Sequence, residues 1–183
     1  MEKIKSNCII PSAAYAVPRS KIKQFDPLLK RSPKVGDLVF GEISELGHHR
    51  LVESRSARLH TINVGTRAVF VFGNRYAPDQ FEGFVPDKLA DYIDLFSRGG
   101  VVGEVNCQNQ LIGVATKVRV HGYVCDNEGK VINTRDHVLI KPKNMSRDKT
   151  GAKLILCIGT SMNSGKTHAA AACCYASVSY THL

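Results

Sequence analysis

The chain has 183 residues, an ordinary apolar fraction of 43% and a formal net charge of +9. These values fit one globular domain plus part of another, and no run approaches the roughly 20 apolar residues of a membrane helix. Lys3 and Lys5 stand near the start of the chain, but the apolar stretch after them is short and interrupted by Pro11. We therefore predict a cytoplasmic protein with neither a signal peptide nor a membrane partner.

The positive charge is concentrated at the two ends of the chain. Residues 1–34 contain eight Lys and Arg against two acidic residues, a net of +6, whereas residues 35–143 contain thirteen of each. Residues 144–183 contain four basic residues and one acidic residue, a net of +3. A basic arm can bind phosphate backbones, which leaves nucleic acid open as an alternative partner. The neutral middle does not favour it, because a nucleic-acid groove needs a positive track.

Residues 1–34 form a basic arm with prolines at positions 11, 18, 27 and 33. Proline lacks a backbone donor and disfavours helix, which predicts irregular or extended structure for this arm. The arm also contains apolar residues that we expect to drape over the next domain: Ile9, Ile10, Tyr15 and Phe25.

Residues 35–143 contain many short β-rich runs separated by turns, which predicts a small antiparallel barrel or sandwich. The predicted strands cover residues 37–43, 50–53, 57–63, 67–73, 100–107, 112–123 and 130–141. Residues 126–129, Asp-Asn-Glu-Gly, have the composition of a hairpin turn. One short helix is predicted over residues 87–97, from apolar residues at helical spacing: Leu89, Tyr92, Ile93 and Phe96. Two stretches, Val35–Ile43 and Phe81–Pro86, are similar to parts of small RNA-binding barrels of the OB type.

The loop from Asn74 to Gly83 follows the strongest predicted strand and combines charged and aromatic side chains. Loops on a rigid scaffold often bind ligands. Arg75, Tyr76 and Asp79 are therefore candidate contacts for an unidentified small-molecule substrate. A turn covered by an aromatic side chain is the alternative.

The six cysteines stand at positions 8, 107, 125, 157, 173 and 174 and form no C-x-x-C pair. This spacing predicts reduced cysteines that act as small apolar side chains and not as zinc ligands. The pair His48–His49 follows Gly47, which predicts a solvated turn. Sequence neighbours on a strand point apart, so a metal shared by the two histidines is disfavoured.

The most informative stretch of the chain is Gly159–Thr167, with the sequence GTSMNSGKT. An apolar run at residues 154–158 precedes it and an alanine-rich segment follows, which predicts a buried parallel strand, a loop and a helix. That order is typical of a P-loop, or Walker A motif, in which backbone N–H groups and the helix dipole hold nucleotide phosphates.

Two residues of this loop have predicted chemical roles. Lys166 would be the catalytic cation on the β- and γ-phosphates, and the Thr167 hydroxyl would be the metal ligand, holding Mg²⁺. The other predicted nucleotide contacts surround these two residues: Thr160, Ser161, Met162, Asn163, Ser164, Gly165 and His168.

The spacing of the loop differs from the common pattern G-x-x-x-x-G-K-[ST], because position 160 is Thr160 and the glycine, Gly159, lies one residue earlier. With this offset the loop resembles dethiobiotin synthetase, G-T-D-T-x-V-G-K-T, and the cobyric and cobyrinic acid synthases, G-T-x-S-x-x-G-K-S. The matching residues are Gly159, Thr160, Gly165, Lys166 and Thr167. The resemblance covers about residues 152–176 and implies an ATP-dependent, ligase-type enzyme with a parallel sheet. It also implies ATP and Mg²⁺ as cofactors, and activation of a carboxylate by phosphoryl transfer.

Residues 144–151 are polar and are predicted to link the β-domain to a P-loop domain that begins at residue 152. Only sixteen residues follow the loop, too few for a Walker B acid and further strands. We therefore expect an inactive fragment of a nucleotide-binding enzyme. Residues 177–183 are predicted not to continue the helix. They resemble translated sequencing-adapter read-through, with a short native strand as the alternative.

A second function is left open by the sequence. It is a nucleic-acid-binding or regulatory module in which the P-loop serves as an ATP-dependent switch. A homo-oligomer is compatible with either function.

Overall fold

The structure is a computed structural model, and it describes residues 1–137, residue 139 and residues 155–181, with side chains described as far as residue 178. The predicted linker at residues 144–151 and Leu154 lie outside the described residues. Within the described ranges the fold is mainly β.

The strands of the described residues are β1 (Glu2–Lys3), β2 (Gln24–Asp26), β3 (Leu38–Glu45), β4 (Leu51–Glu53), β5 (Leu59–Thr61), β6 (Arg67–Phe72), β7 (Arg75–Tyr76), β8 (Phe81–Phe84), β9 (Tyr92–Leu95), β10 (Val101–Gln108) and β11 (Thr116–Cys125). Short 3-10 helices cover Ser12–Ala14, Arg19–Lys21 and Thr134–Asp136, and one α-helix, α1, covers Lys166–Thr181.

Nine of these strands form one sheet, in the order β1-β2-β11-β3-β6-β10-β8-β7, and β9 pairs with both β10 and β11. Strands β4 and β5 form a separate hairpin. Strand β10 runs parallel to β6, with Val101 opposite Val71, and the other strand pairs of the sheet are antiparallel in the described residues.

The prediction of a small antiparallel barrel or sandwich is confirmed in its β character. The sheet as a whole is not closed into a barrel, since β1 and β7 are its free ends, but the pairing of β9 with both β10 and β11 joins β11, β3, β6, β10 and β9 into a ring. It is also not purely antiparallel. The chain forms three strands between β6 and β10 before it returns beside β6, and that crossover makes the pair parallel.

Burial on both faces explains why β6 gives the strongest strand pattern. Ala68, Phe70 and Phe72 belong to one apolar cluster, and Val69 and Val71 belong to another. Alternate side chains of a strand point to opposite faces, so the two clusters lie on opposite sides of β6. A continuous apolar run is the pattern expected for such a strand.

The N-terminal segment covers the apolar cluster that contains Val69 and Val71. Ile10, Val17 and Phe25 are buried in it, and β2 pairs with β11. The predicted packing of Ile10 and Phe25 onto the β-domain is thus confirmed, whereas Tyr15 is exposed. Val69 N–H also donates to the Ile9 carbonyl, at 2.9 Å.

The helix predicted over residues 87–97 is wrong, because Tyr92–Leu95 form β9. Ile93 and Leu95 are buried, and Tyr92 is exposed. Between them the buried Asp94 carboxylate accepts the Val105 N–H at 3.0 Å and pairs with Lys117 at 2.7 Å. Pairing with β10 and β11 therefore overrides the helical spacing of the apolar residues.

The turn predicted at residues 126–129 is confirmed. The Asp126 carboxylate accepts the N–H groups of Glu128 and Lys130 at 3.0 and 2.9 Å, and Gly129 has a φ of +81°. The strand predicted over residues 130–141 is reduced to isolated bridges at Val131 and Asn133. The chain then turns into the 3-10 helix Thr134–Asp136, and residues 140 and 141 lie outside the described ranges.

The predictions for the histidine pair and for the cysteines need correction. His48 is exposed, but His49 is buried rather than solvated, because its ring packs against Phe81 and its Nε2 donates to the Phe96 carbonyl at 2.7 Å. Among the cysteines Cys125 is a buried core residue, whereas three others are exposed and fill no apolar space: Cys107, Cys173 and Cys174. Burial raises the pKa of the half-buried Cys8 thiol to about 11.

Across the described ranges, the structure contains no helix with both the length and the apolarity needed to cross a bilayer.

Candidate functional site

The predicted P-loop runs from Gly159 into the first turn of α1, which begins at Lys166. The first helical hydrogen bond runs from Ala169 N–H to the Gly165 carbonyl, at 3.0 Å. The N–H groups of Lys166, Thr167 and His168 precede that bond, and donors at this position of a helix have no intrahelical acceptor. They form the positive end of the helix dipole, where an anion is stabilised.

Two left-handed residues bend the loop toward the start of the helix. Asn163 has a φ of +59° and Gly165 a φ of +83°. Glycine adopts this conformation without a steric penalty, and asparagine is the side chain that tolerates it best. In anion-binding concavities, residues in this conformation alternate with right-handed ones and turn successive N–H groups toward a common centre.

Lys166 folds back across the loop. Its Nζ donates to the Ser161 carbonyl and to Ser164 Oγ, the latter at 3.2 Å. An ammonium has three N–H donors, so one donor is left for a ligand. Lys166 is half-buried by this packing.

Gly159 has a structural role although it lies one residue before the usual position. A Cβ placed on it would collide with Ser164 Oγ and would lie 2.9 Å from Cγ of Lys166. Gly159 therefore makes room for the lysine side chain to cross the loop.

The structure brings all of the predicted loop residues together on an accessible surface. Ser161 and Lys166 are half-buried, and the others are exposed: Thr160, Met162, Asn163, Ser164, Gly165, Thr167 and His168. Thr167 lies in the first turn of α1. Within the described residues no three His, Cys, Asp or Glu side chains group together to hold a metal ion.

Two predictions for the elements on either side of the loop are wrong. Residues 155–158 form no strand, and Ile155, Leu156 and Ile158 are 71–80% exposed. A parallel strand needs neighbours that pair with it and cover both faces, and no described residue pairs with this segment. Residues 177–181 continue α1 instead of ending it. Ser177 is accommodated there because its Oγ donates to the Cys173 carbonyl one turn earlier, at 2.8 Å.

The loop contacts the β-domain at one residue that the sequence singled out separately. Asn163 Nδ2 donates to the carboxylate of Asp79, which is exposed between β7 and β8. Of the other two candidates in that segment, Tyr76 is exposed, whereas Arg75 is half-buried and donates to Gln80 Oε1 at 2.7 Å. The two contacting residues are 84 positions apart, so no local sequence pattern could have joined them.

Comparisons of the chain with protein-family models, with curated proteins and with solved structures find no match. The resemblance of the loop to dethiobiotin synthetase and the cobyric acid synthases stays a prediction. Any assignment of function therefore rests on the residues themselves.

Proposed function

We propose that residues 159–168 bind the phosphates of a nucleotide, with ATP and Mg²⁺ as the ligands that this type of loop favours. The observation that carries the proposal is the position of Lys166. Its Nζ lies over the loop, bonded to the Ser161 carbonyl and Ser164 Oγ, at the helix end where backbone donors are free of intrahelical bonds. A cation above a cluster of N–H donors suits a polyanion such as a triphosphate.

The chemistry follows from the same arrangement. Lys166 would stabilise charge on the β- and γ-phosphates, and Thr167 Oγ1 would supply one oxygen ligand to Mg²⁺. The proposal includes an α/β P-loop fold around the loop, a cytoplasmic location consistent with reduced cysteines, and a ligase-type reaction that activates a carboxylate substrate. The β-domain would present or gate that substrate.

The test is a calorimetric titration of the full chain with ATP and with GTP, each in the presence and absence of Mg²⁺. Lys166→Ala is expected to abolish nucleotide binding, and Lys88→Ala, which removes an exposed lysine of the β-domain, is expected to leave it unchanged. Thr167→Ala should remove the effect of Mg²⁺ on affinity while leaving metal-free binding. Equal ATP affinity in the wild type and Lys166→Ala would refute the proposal.

A second candidate is a nucleic-acid-binding module, and one observation favours it. Of the eight basic residues in positions 1–34, all except Arg31 are exposed on the surface of the sheet domain. Phosphate contacts of such residues would make affinity fall steeply with added salt. A titration with single-stranded RNA at two salt concentrations separates the candidates, because binding that is absent or insensitive to salt excludes the second one.

A further inference from the structure

A cavity of about 560 Å³ lies on the β-domain where three connecting segments meet. These segments are the β3–β4 connection, the β7–β8 hairpin and the β9–β10 turn. Its polar lining consists chiefly of His48, His49, Arg50, Arg75, Gln80 and Arg98, and we call it the arginine pocket. None of the described lining residues is an aspartate or a glutamate.

Arg75 is the deepest cation of the arginine pocket. Its Nη2 donates to the neutral amide of Gln80, whereas its Nη1 is buried without a hydrogen-bond partner among the described residues. Buried donors in folded proteins are normally paired, because an unpaired one loses its hydration without compensation. The unpaired Nη1 belongs to a planar guanidinium, whose donor geometry matches a carboxylate or a phosphate.

Two other partly buried cations of the described chain have acidic partners. Arg31 pairs with Asp37 at 2.6 Å and Lys117 pairs with Asp94 at 2.7 Å. Arg50, Arg75 and Arg98 have no such ion pair within the described ranges. Three like charges around one cavity repel each other, and an anion between them would relieve that repulsion.

His49 provides a second indication of the positive environment. Burial is the main cause that lowers its pKa to about 4, and the nearby charges of His48, Arg75 and Arg98 lower it further. The ring is thus neutral near pH 7, with Nε2 donating to the Phe96 carbonyl. The His49 ring therefore lines the pocket without adding a positive charge to it.

We propose that the arginine pocket is a binding site for a small multivalent oxyanion, that is, a metabolite carrying several carboxylates or a phosphate group. The half-buried Arg75 supplies the unpaired Nη1, and the exposed Arg50 and Arg98 contribute charge at the rim. The volume exceeds that of a single inorganic ion and accommodates a small organic acid. This site is separate from the proposed nucleotide loop, which contributes none of its lining residues.

The test uses two probes on the full chain at an ionic strength of about 0.15 M, where long-range attraction is screened. Citrate represents a polycarboxylate. Pyrophosphate represents a phosphate and is titrated into Lys166→Ala, so that the nucleotide loop does not contribute. Arg75→Gln is expected to weaken binding of the preferred probe by about tenfold or more, because a charge-assisted hydrogen bond is lost. Tighter binding of citrate assigns a carboxylate ligand, and tighter binding of pyrophosphate a phosphate ligand.

The matched control is Arg119→Gln, which removes an equal charge from an exposed position on β11 outside the pocket. The affinity of Arg119→Gln for the probe should stay within about twofold of the wild-type affinity. Circular dichroism tests whether Arg75→Gln is folded. If it is not, Arg98→Gln serves instead, because that exposed side chain can be replaced without loss of packing and should also weaken binding.

Three results overturn the proposal: neither probe binds, Arg75→Gln or its substitute binds as the wild type does, or Arg119→Gln weakens binding equally. The outcome is distinguishable from that for the nucleotide loop. Lys166→Ala is expected to lose ATP binding and keep probe binding, and Arg75→Gln to weaken probe binding and keep ATP binding.

Discussion

The β-sheet region and the C-terminal loop with α1 differ in the burial of their apolar side chains. In the sheet Phe70, Phe72 and Tyr123 are fully buried between β-strands from distant parts of the chain. In α1 the side chains of Tyr175 and Val178 are 77% and 57% exposed. The sheet is therefore stabilised by tertiary burial, whereas α1 depends on local hydrogen bonds and the high helix propensity of its alanines.

The two candidate sites follow the same division. The nucleotide loop is shaped by residues close in sequence, from Gly159 to Lys166, and needs little from the rest of the protein. The arginine pocket requires Arg50, Arg75 and Arg98, which only the folded sheet domain brings together. A change in the core should therefore disturb the pocket more than the loop.

The largest expected effect tests this contrast through burial. Phe70→Ala leaves a cavity at a fully buried position of β6 and should lower the free energy of unfolding by about 3–5 kcal/mol. Tyr175→Ala removes an aromatic ring that is 77% exposed on α1 and should change the free energy of unfolding by less than about 0.5 kcal/mol. Urea unfolding of both variants provides the measurement. Equal losses would show that α1 is packed as firmly as the sheet.

A smaller effect is expected from pH. Folding lowers the pKa of His49 from an ordinary 6.5 to about 4, mainly through burial. Between these two pKa values the unfolded chain binds a proton that the folded chain excludes. The contribution of His49 to the free energy of unfolding is therefore fully present above pH 6.5 and is lost as pH falls toward 4. The loss should approach roughly 2–3 kcal/mol, since one pKa unit corresponds to about 1.4 kcal/mol.

The measurement is the urea midpoint of the wild type, of His49→Phe and of the control His60→Gln at pH 7 and pH 4.5. His49→Phe keeps an aromatic ring beside Phe81 but removes the titrating group. It should therefore be less sensitive to acid than the wild type and His60→Gln. An unchanged pH dependence in His49→Phe would assign the acid sensitivity to other groups.

The smallest expected effect compares two glycines of the β-domain. A Cβ at Gly41 would lie 2.7 Å from Val118 Cγ1 and 2.8 Å from the Arg119 carbonyl, in the β3–β11 pair. Gly41→Ala should therefore cost about 1–3 kcal/mol. Gly113 has open space around its Cβ position, and Gly113→Ala should be neutral or stabilise by about 0.5 kcal/mol. Thermal unfolding of Gly41→Ala and Gly113→Ala measures this difference. Equal melting temperatures of the two variants would contradict the close packing of β3 on β11.

Much of the local structure was predictable, because it depends on neighbours in sequence. The turn at residues 126–129 follows from an aspartate that accepts nearby N–H groups and a glycine with positive φ. The loop and the start of α1 likewise follow from Gly165 and Lys166. The run Ala68–Phe72 indicated a strand, but which layers bury its two faces depended on the N-terminal segment.

The errors arise where distant partners override a local pattern. Tyr92–Leu95 have apolar residues near helical spacing, yet they form β9 because β10 and β11 supply backbone partners. Residues 155–158 have the composition of a buried strand, yet they are exposed because no described residue pairs with them. His49 looked like part of a solvated turn, and only the fold placed Phe81 and Phe96 around it.

The amino-acid sequence by itself determined the β-rich middle, the turn after β11, and the order of loop and helix around Lys166, since each rests on backbone preferences within a few residues. The tertiary structure decided the parallel pairing of β6 with β10 and the contact of Asn163 with Asp79. It also decided the meeting of Arg50, Arg75 and Arg98. These features join residues tens of positions apart, and only the packing of the whole sheet sets the distances between them.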